Sequence, residues 1–287
     1  ILTLKVDGAA DSVDIEYSTA LGGGLTVTGQ TNVTQYETVN ITNGSPIAAI
    51  NTGAVTNAST TTMTFKGSQG ITLGTSSSTV LSSVDASGMT GTTGLTMSSN
   101  SGTVLFPSTI IGSPNGTDTL IGGSAADTIS GGGGIDTISG AAGADIIKGE
   151  AGNDIIDGGA GVDNIDGGAG NDQINVSTVT DFISLASPET IDGGAGTDTI
   201  NLSTGTHTLD DDAKLANIET IVANSSGSTL VLTNQAEGFT LTGGSGTDDF
   251  TGGSGADVMT GGAGNDTFVG GTGNDTFNID SGTDTIK

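Results

Sequence analysis

The sequence predicts an all-β protein in which blocks of parallel β-solenoid follow a region of short strands. A nine-residue pattern rich in glycine and aspartate recurs in strict register from residue 113 onward. Repetition at a fixed short period is typical of solenoids, because each repeat buries its apolar side chain only by stacking on its neighbours. Before residue 113, short runs of alternating apolar and polar residues predict strands, and no stretch of useful length has a helical period.

The composition is acidic and poor in aromatic residues. The 287 residues include 51 glycines, 32 acidic residues and 5 basic residues, for a formal net charge of −27. Such a chain attracts cations and repels anionic polymers and lipids, so we expect no nucleic-acid partner. No apolar run approaches the roughly 18 residues of a membrane span, so we expect no membrane insertion. The chain starts at Ile1 without a recognisable signal peptide, and we therefore expect an excerpt or a mature fragment.

The sequence divides into four predicted segments. Residues 1–112 are rich in Thr and Ser and hold only 6 of the 32 acidic residues. Alternating runs such as LTLKV, DIEY, TVNIT, TMTF and GLTM predict a region of many short strands there, either a solenoid or a sandwich. The segments that follow are a first repeat block at 113–175, a spacer with one complete repeat at 176–242, and a final block at 243–287.

The repeat reads G-G-x-G-x-D-x-U-x, where U is large and apolar. Glycines at positions 1, 2 and 4 allow a tight turn with close backbone approach. The last three residues predict a short strand whose middle side chain points inward. The inward positions are Leu120, Ile129, Ile138, Ile147, Ile156, Ile165 and Ile174 in the first block, and Phe250, Met259, Phe268, Phe277 and Ile286 in the last.

This nonapeptide resembles the calcium-binding repeat of the RTX (repeats-in-toxin) proteins, whose repeats form a β-roll. The resemblance implies that the position-6 aspartates and the turn carbonyls hold several Ca²⁺ ions. In the first repeat Ser113 and Pro114 replace the two glycines, and Glu189 stands where an aspartate is expected. The aspartates implied as metal ligands are Asp118, Asp127, Asp136, Asp145, Asp154, Asp163, Asp172, Asp198, Asp248, Asp257, Asp266, Asp275 and Asp284.

Stacking of these aspartates is expected to require a cation. If two nonapeptides make one coil, aspartates 18 residues apart lie on adjacent strands, about 4.8 Å from each other. Two carboxylates at about 5 Å repel by roughly 0.8 kcal/mol even in bulk water. Calcium accepts oxygen ligands in flexible geometry, whereas magnesium needs a tighter octahedron. Because the core holds only one apolar side chain per repeat, we expect calcium binding and folding to be one event.

Other candidate sites in the sequence are weak. His207 is the only histidine and the chain has no cysteine, so no zinc site or catalytic triad can be assembled, and we expect no enzymatic activity. Asp210, Asp211 and Asp212 predict a solvated loop, with a further calcium site as the alternative. The stretch DDDAKLANIE predicts either extended chain or one short helical turn.

The resemblance also implies a function. RTX proteins are exported by type I secretion from Gram-negative bacteria and fold outside the cell, where calcium is available. Residues 82–97 look like the Thr- and Ser-rich strands of RTX surface-layer proteins and adhesins. We therefore expect a structural subunit of a bacterial surface layer, folded by calcium and self-associating into a lattice through calcium bridges. The alternatives are an RTX adhesin, or the C-terminal calcium-binding region of a type I secreted enzyme or toxin.

Overall fold

The computed structural model is all-β, as the sequence predicts, and its strands form a parallel β-solenoid. It describes 12 stretches of the chain, and the statements below refer to these residues: 2–6, 12–17, 26–27, 38–43, 50–52, 62–68, 70–73, 82–97, 109–176, 190–209, 213–223 and 226–287. The chain divides into two compact units, Ile1–Asp154 and Ile155–Lys287. The boundary between the two units lies inside the predicted repeat block 113–175. The segment boundaries expected from the sequence stay predictions.

The first unit contains strands whose chain order alternates between two sheets. One sheet has the order β1-β2-β4-β6-β8-β10-β12-β15 and the other the order β3-β5-β7-β9-β11-β13. The strands are β1 (Leu2–Val6), β2 (Ser12–Tyr17), β3 (Thr26–Val27), β4 (Thr38–Asn43), β5 (Ile50–Thr52), β6 (Thr62–Gly67), β7 (Ile71–Leu73), β8 (Ser83–Met89), β9 (Thr93–Met97), β10 (Thr109–Ile111), β11 (Thr117–Ile121), β12 (Thr128–Gly133), β13 (Thr137–Ser139), β14 (Ala142–Gly143) and β15 (Ile146–Ala151).

Parallel pairing decides between the two architectures expected for the Thr- and Ser-rich region. Strand β1 pairs antiparallel with β2, but β2 pairs parallel with β4, β4 with β6, and β6 with β8. Parallel neighbours joined through a strand of the opposite sheet are the geometry of a solenoid, since antiparallel hairpins dominate sandwiches. From β2 onward, the described strands before residue 113 are therefore solenoid coils, and each coil contributes one strand to each sheet.

The second unit continues the same type of winding with three sheets. Their orders are β18-β20-β23, β16-β19-β21-β24-β26-β28-β30 and β22-β25-β27-β29-β31. The strands are β16 (Ile155–Asp157), β17 (Ala160–Gly161), β18 (Asn164–Asp166), β19 (Gln173–Val176), β20 (Thr190–Asp192), β21 (Thr199–Leu202), β22 (Gly205–Thr208), β23 (Leu215–Ala216), β24 (Thr220–Val222), β25 (Ser228–Val231), β26 (Thr240–Thr242), β27 (Asp249–Thr251), β28 (Val258–Thr260), β29 (Thr267–Val269), β30 (Thr276–Asn278) and β31 (Thr285–Ile286).

A coil of three strands lies in the predicted spacer. Between β21 and β24, which are neighbours in one sheet, the chain passes through β22 and β23 in the other two sheets. The stretch DDDAKLANIE contributes a turn at 213–214 and then β23, so no helical turn forms in its described part, whereas 210–212 lie outside the described residues. The described residues include no helix that is long and apolar enough to cross a membrane.

The core is a single column of apolar side chains in each sheet. Within the first unit, Leu120 lies beside Ile138 and Ile129 beside Ile147, and all four are buried. The 18-residue spacing of these pairs is the spacing expected when two nonapeptides form one coil. In the second unit Ile156 lies beside Ile174 and Phe250 beside Phe268, again buried.

The inward column is incomplete in the last coil. Phe277 is only half-buried and Ile286 is 52% exposed, although Ile286 lies in register beside Phe268 as the inward column predicts. Strands β30 and β31 are the last members of their sheets, and a neighbouring strand covers each of them on one side only. Phe277 still stacks on Phe268, with ring centroids 5.9 Å apart.

Two isoleucines of one repeat allow a matched test of this core. Ile138 is 1% exposed, whereas Ile135 in the same repeat is 57% exposed. We expect Ile138→Ala to lower the free energy of unfolding by about 2–5 kcal/mol, because it leaves a cavity between stacked strands. Ile135→Ala should change it by less than about 0.5 kcal/mol. Urea unfolding in saturating calcium, followed by circular dichroism, measures both, and equal losses would contradict the assigned core.

Candidate metal site

The expected metal ligands lie at the turn that leads into a short strand or, for Asp118, at the start of strand β11, and the solenoid buries most of them. Eleven of these thirteen aspartates are at most 2% exposed, and the remaining two, Asp275 and Asp284 in the last coil, are half-buried. The buried ones are Asp118, Asp127, Asp136, Asp145 and Asp154 in the first unit, and Asp163, Asp172, Asp198, Asp248, Asp257 and Asp266 in the second. Burial of so many carboxylates demands a compensating partner, because ionised groups lose hydration there.

One repeated hydrogen bond places these carboxylates in rows. The backbone N–H of one aspartate donates to Oδ1 of the aspartate in the next coil. The donor–acceptor distances are 2.8 Å for Asp118–Asp136, 2.7 Å for Asp127–Asp145, 2.8 Å for Asp136–Asp154, 2.9 Å for Asp248–Asp266, 3.1 Å for Asp257–Asp275 and 3.0 Å for Asp266–Asp284. We call each such row an aspartate ladder.

Other residue types start or extend the ladders, and the sequence pattern did not identify them. Leu95, Ser228 and Phe239 donate their N–H groups to Asp118, Asp248 and Asp257 respectively. At another position an acid extends the ladder, since Asp172 N–H donates to Asp198 Oδ1 at 2.7 Å and Asp198 N–H donates to Glu219 Oε2 at 2.7 Å. In the nonapeptide the acid stands two residues before the buried apolar residue, and Glu219 has the same spacing to the buried Ile221. This spacing could have identified Glu219 from the sequence.

The second carboxylate oxygen is the feature that points to a ligand. Oδ2 of Asp136, Asp198, Asp266 and Asp284 is buried and has no hydrogen-bond partner in the described part of the chain. Around Asp136 the neighbourhood is oxygen-rich, because a Cβ on Gly131 would lie 2.5 Å from Asp136 Oδ2 and 2.7 Å from the Gly149 carbonyl oxygen. Glycine is therefore required at position 131, and a carboxylate and a carbonyl oxygen approach the same point.

Burial raises the pKa of the ladder carboxyls. Desolvation, together with the charges of Asp118 and Asp154, raises the pKa of Asp136 from 3.8 to about 7, although the N–H of Asp118 acts in the opposite direction. Desolvation is also the main cause of a raised pKa at Asp118, Asp154, Asp198, Asp248 and Asp257. These carboxylates are thus poorly stabilised as anions by the protein alone.

The donor set fits a hard divalent cation. Carboxylate and carbonyl oxygens are the ligands that calcium takes, at a coordination number of about 6–8 and in flexible geometry. Bound among the ladder carboxylates, calcium would supply the positive charge that their burial removes. The residues placed to hold it are the position-6 aspartates and the glycine-rich turns in front of them.

The candidate residues that depart from the regular repeat pattern lie in different environments. In the first repeat Ser113 replaces a glycine, and its N–H and hydroxyl both donate to Asp118 Oδ2 at 2.8 Å, so this carboxylate is well hydrogen-bonded. His207 lies in β22, is buried, and its Nε2 is 2.8 Å from the Ser203 carbonyl oxygen. It is therefore a strand residue, as expected. Glu189 and Asp210, Asp211 and Asp212 lie outside the described residues.

The raised pKa values predict how the cation-free protein responds to pH. The unfolded Asp136 carboxyl titrates at 3.8 and the folded one at about 7, so the folded state holds the proton more tightly between these values. Its contribution to stability is fully present below pH 3.8 and is lost as the pH rises to about 7. Circular dichroism in calcium-depleted buffer should therefore show β-structure that decreases as the pH rises over this range. β-structure that increases with pH would contradict the assignment.

Comparison with known proteins agrees with this geometry. The family model of the RTX calcium-binding nonapeptide repeat (4 copies) matches residues 115–147, 139–174, 189–206, 242–277 and 251–286. These matches together cover less than half of the chain and contain all thirteen expected ligands. No curated protein was found to match the chain. The matched segments are RTX calcium-binding nonapeptide repeats.

Proposed function

We propose that the chain is a calcium-dependent structural protein of the bacterial cell surface, acting as a subunit of a surface-layer lattice. The observation that carries the proposal is that buried ladder carboxylates such as Asp136, Asp198 and Asp266 have a second oxygen without a hydrogen-bond partner among the described residues. A fold built on such rows gains stability only where divalent cations are plentiful. This condition holds outside the cell, where calcium is at millimolar levels, and fails in the cytosol.

Export follows from the same physical requirement. A chain that needs calcium to fold stays extended in the low-calcium cytosol and is then suited to type I secretion, the route used by proteins with RTX repeats. On reaching the exterior it binds calcium, and binding free energy becomes folding free energy. Because each coil contacts mainly its neighbours, stability is close to a sum over adjacent coils, and a regular stack forms.

The proposed role is non-catalytic. The chain has one histidine and no cysteine, and His207 is buried against the Ser203 carbonyl. The buried carboxylates are members of ladders, in which Oδ1 of residues such as Asp136, Asp154 and Asp266 accepts a backbone N–H. A general acid–base pair needs carboxyls that reach a substrate, and the ladders place theirs inside stacked turns instead.

Lattice formation is supported by the charge of the exposed surface. The formal net charge is −27, and acids such as Glu150, Glu237 and Asp249 are exposed outside the ladders. Like-charged subunits repel one another unless counterions lie between them. Calcium would therefore act twice, inside each subunit and between neighbouring subunits.

Replacing one ladder carboxylate should have opposite effects with and without calcium. Asp136→Asn keeps an oxygen to accept the Asp118 N–H, and it removes a charge between Asp118 and Asp154. In calcium-depleted buffer, where the wild type should have little β-structure, we expect the variant to show more β-structure by circular dichroism. In excess calcium the variant should be less stable than the wild type to urea unfolding, because a site at 100 times its Kd contributes about 2.7 kcal/mol. The two measurements together show the change of sign.

The control for this variant is Glu150→Gln, which removes one charge from an exposed turn of the same repeat block. It should shift stability slightly and in the same direction under both conditions, since it alters only the general repulsion. If Asp136→Asn behaves like this control, the ladder carboxylate does not hold calcium and the proposal fails.

The lattice itself is tested with the full chain. We expect little β-structure by circular dichroism in chelator, full β-structure in millimolar calcium, and little effect of magnesium. In the same calcium buffer, negative-stain electron microscopy should show ordered two-dimensional sheets that disperse on addition of chelator. Calcium-dependent folding without sheets would remove the lattice role and favour an adhesin or the calcium-binding region of a secreted enzyme.

A further inference from the structure

An additional carboxylate lies beside the last ladder, at a position where the repeat normally has glycine. Asp280 occupies position 2 of the repeat 279–287, whereas the preceding repeats have Gly262 and Gly271 there. It is exposed, on the turn of the last coil. Neither the nonapeptide pattern nor the ladder geometry requires an acid at this position.

The solenoid brings Asp280 to two ladder aspartates. Carboxylate oxygens of Asp266, Asp280 and Asp284 all lie within 4.8 Å of one another. Asp266 is 1% exposed, and Asp284 is half-buried. Three carboxylates at this separation carry a formal charge of −3 in one small volume, so the cluster attracts a multivalent cation.

Asp280 accepts a hydrogen bond from a position-2 N–H that, in the two repeats before Gly262, goes to a ladder aspartate. In the two preceding repeats the position-2 N–H donates to the aspartate of its own repeat, from Gly244 to Asp248 Oδ2 at 3.1 Å and from Gly253 to Asp257 Oδ2 at 3.2 Å. The equivalent N–H of Gly262 instead donates to Asp280 Oδ2 at 2.9 Å.

Two buried oxygens of the cluster are available for a ligand. Asp266 Oδ2 is buried and has no hydrogen-bond partner among the described residues, and the same is true of Asp284 Oδ2. Asp280 is itself held in place, because Ser281 N–H donates to its Oδ1 at 3.0 Å and Gly262 N–H donates to its Oδ2. A fixed third carboxylate thus faces a buried oxygen that nothing else satisfies.

We propose that Asp266, Asp280 and Asp284 form a three-carboxylate calcium site in the last coil, distinct in composition from the ladder positions with glycine at position 2. This inference rests on the proposed calcium-dependent function. Hard oxygen ligands without histidine or cysteine select calcium or magnesium over transition metals. The flexible, partly exposed arrangement favours calcium, with water completing its coordination.

Two substitutions of Asp280 test the site. Asp280→Asn removes the charge at nearly constant shape, and Asp280→Gly restores the residue found at this position in the preceding repeats. Equilibrium dialysis of the full chain against ⁴⁵Ca²⁺ counts bound ions at fixed free calcium. We expect each variant to bind the ion of this cluster at least about tenfold more weakly than the wild type, because one of its three carboxylates is removed.

The matched control is Asp249→Asn, which removes one exposed charge from the same block outside any ladder and should retain the wild-type ion count. Circular dichroism in calcium confirms that each variant is folded, and the glycine variant guards against a local effect of asparagine on the turn. Wild-type ion numbers and affinities in either folded Asp280 variant would overturn the three-carboxylate site and leave the proposed function intact. A wild-type chain that binds no calcium would overturn both.

Discussion

The hydrogen bond from a backbone N–H to the aspartate of the next coil is the interaction on which the solenoid repeats depend. It satisfies an N–H at the turn, where strand pairing has not yet begun, and it fixes the aspartate side chain inside the stack. The same bond uses only one carboxylate oxygen. Each rung therefore orders a side chain and leaves a buried charge, which a bound cation would compensate.

The stacking explains the low complexity of the repeat. A Cβ on Gly152 would collide with the Gly134 carbonyl oxygen of the preceding coil, and a Cβ on Gly131 would crowd Asp136 Oδ2. Glycine at these positions is thus a consequence of coil spacing, which the strand pairing of about 4.8 Å sets. With glycine fixed at the turns and one apolar residue per strand, little sequence freedom remains, and the hydrophobic core alone is too thin to specify the fold.

The sequence predicted the periodic features well and the irregular ones poorly. The 18-residue register, the buried positions such as Ile138 and Ile156, and the ladder aspartates all follow from a pattern that repeats with the coil. The nonapeptide pattern did not identify Glu219 and Phe239, because the coils that contain them are longer than two nonapeptides. A fixed nine-residue period therefore does not predict their positions. Asp280 escaped because it replaces a glycine that the pattern treats as invariant. The three-strand coil through β22 and β23 depends on side-chain packing that no local periodicity encodes.

The two ends of a ladder differ in charge, and this difference bears on where cations matter most. A ladder starts from a residue such as Leu95 or Phe239, which donates an N–H without adding a carboxylate. Burial is the main cause of the raised pKa at both Asp118 and Asp136, and at Asp136 the charges of Asp118 and Asp154 add to it and raise its pKa to about 7. The ladder that begins at Ser228 and Asp248 ends instead at Asp266, Asp280 and Asp284, where a third carboxylate joins. The number of neighbouring carboxylates therefore increases from the uncharged start of a ladder toward its interior, and in this ladder toward Asp266, Asp280 and Asp284. A divalent cation would be attracted most strongly where these carboxylates are most numerous.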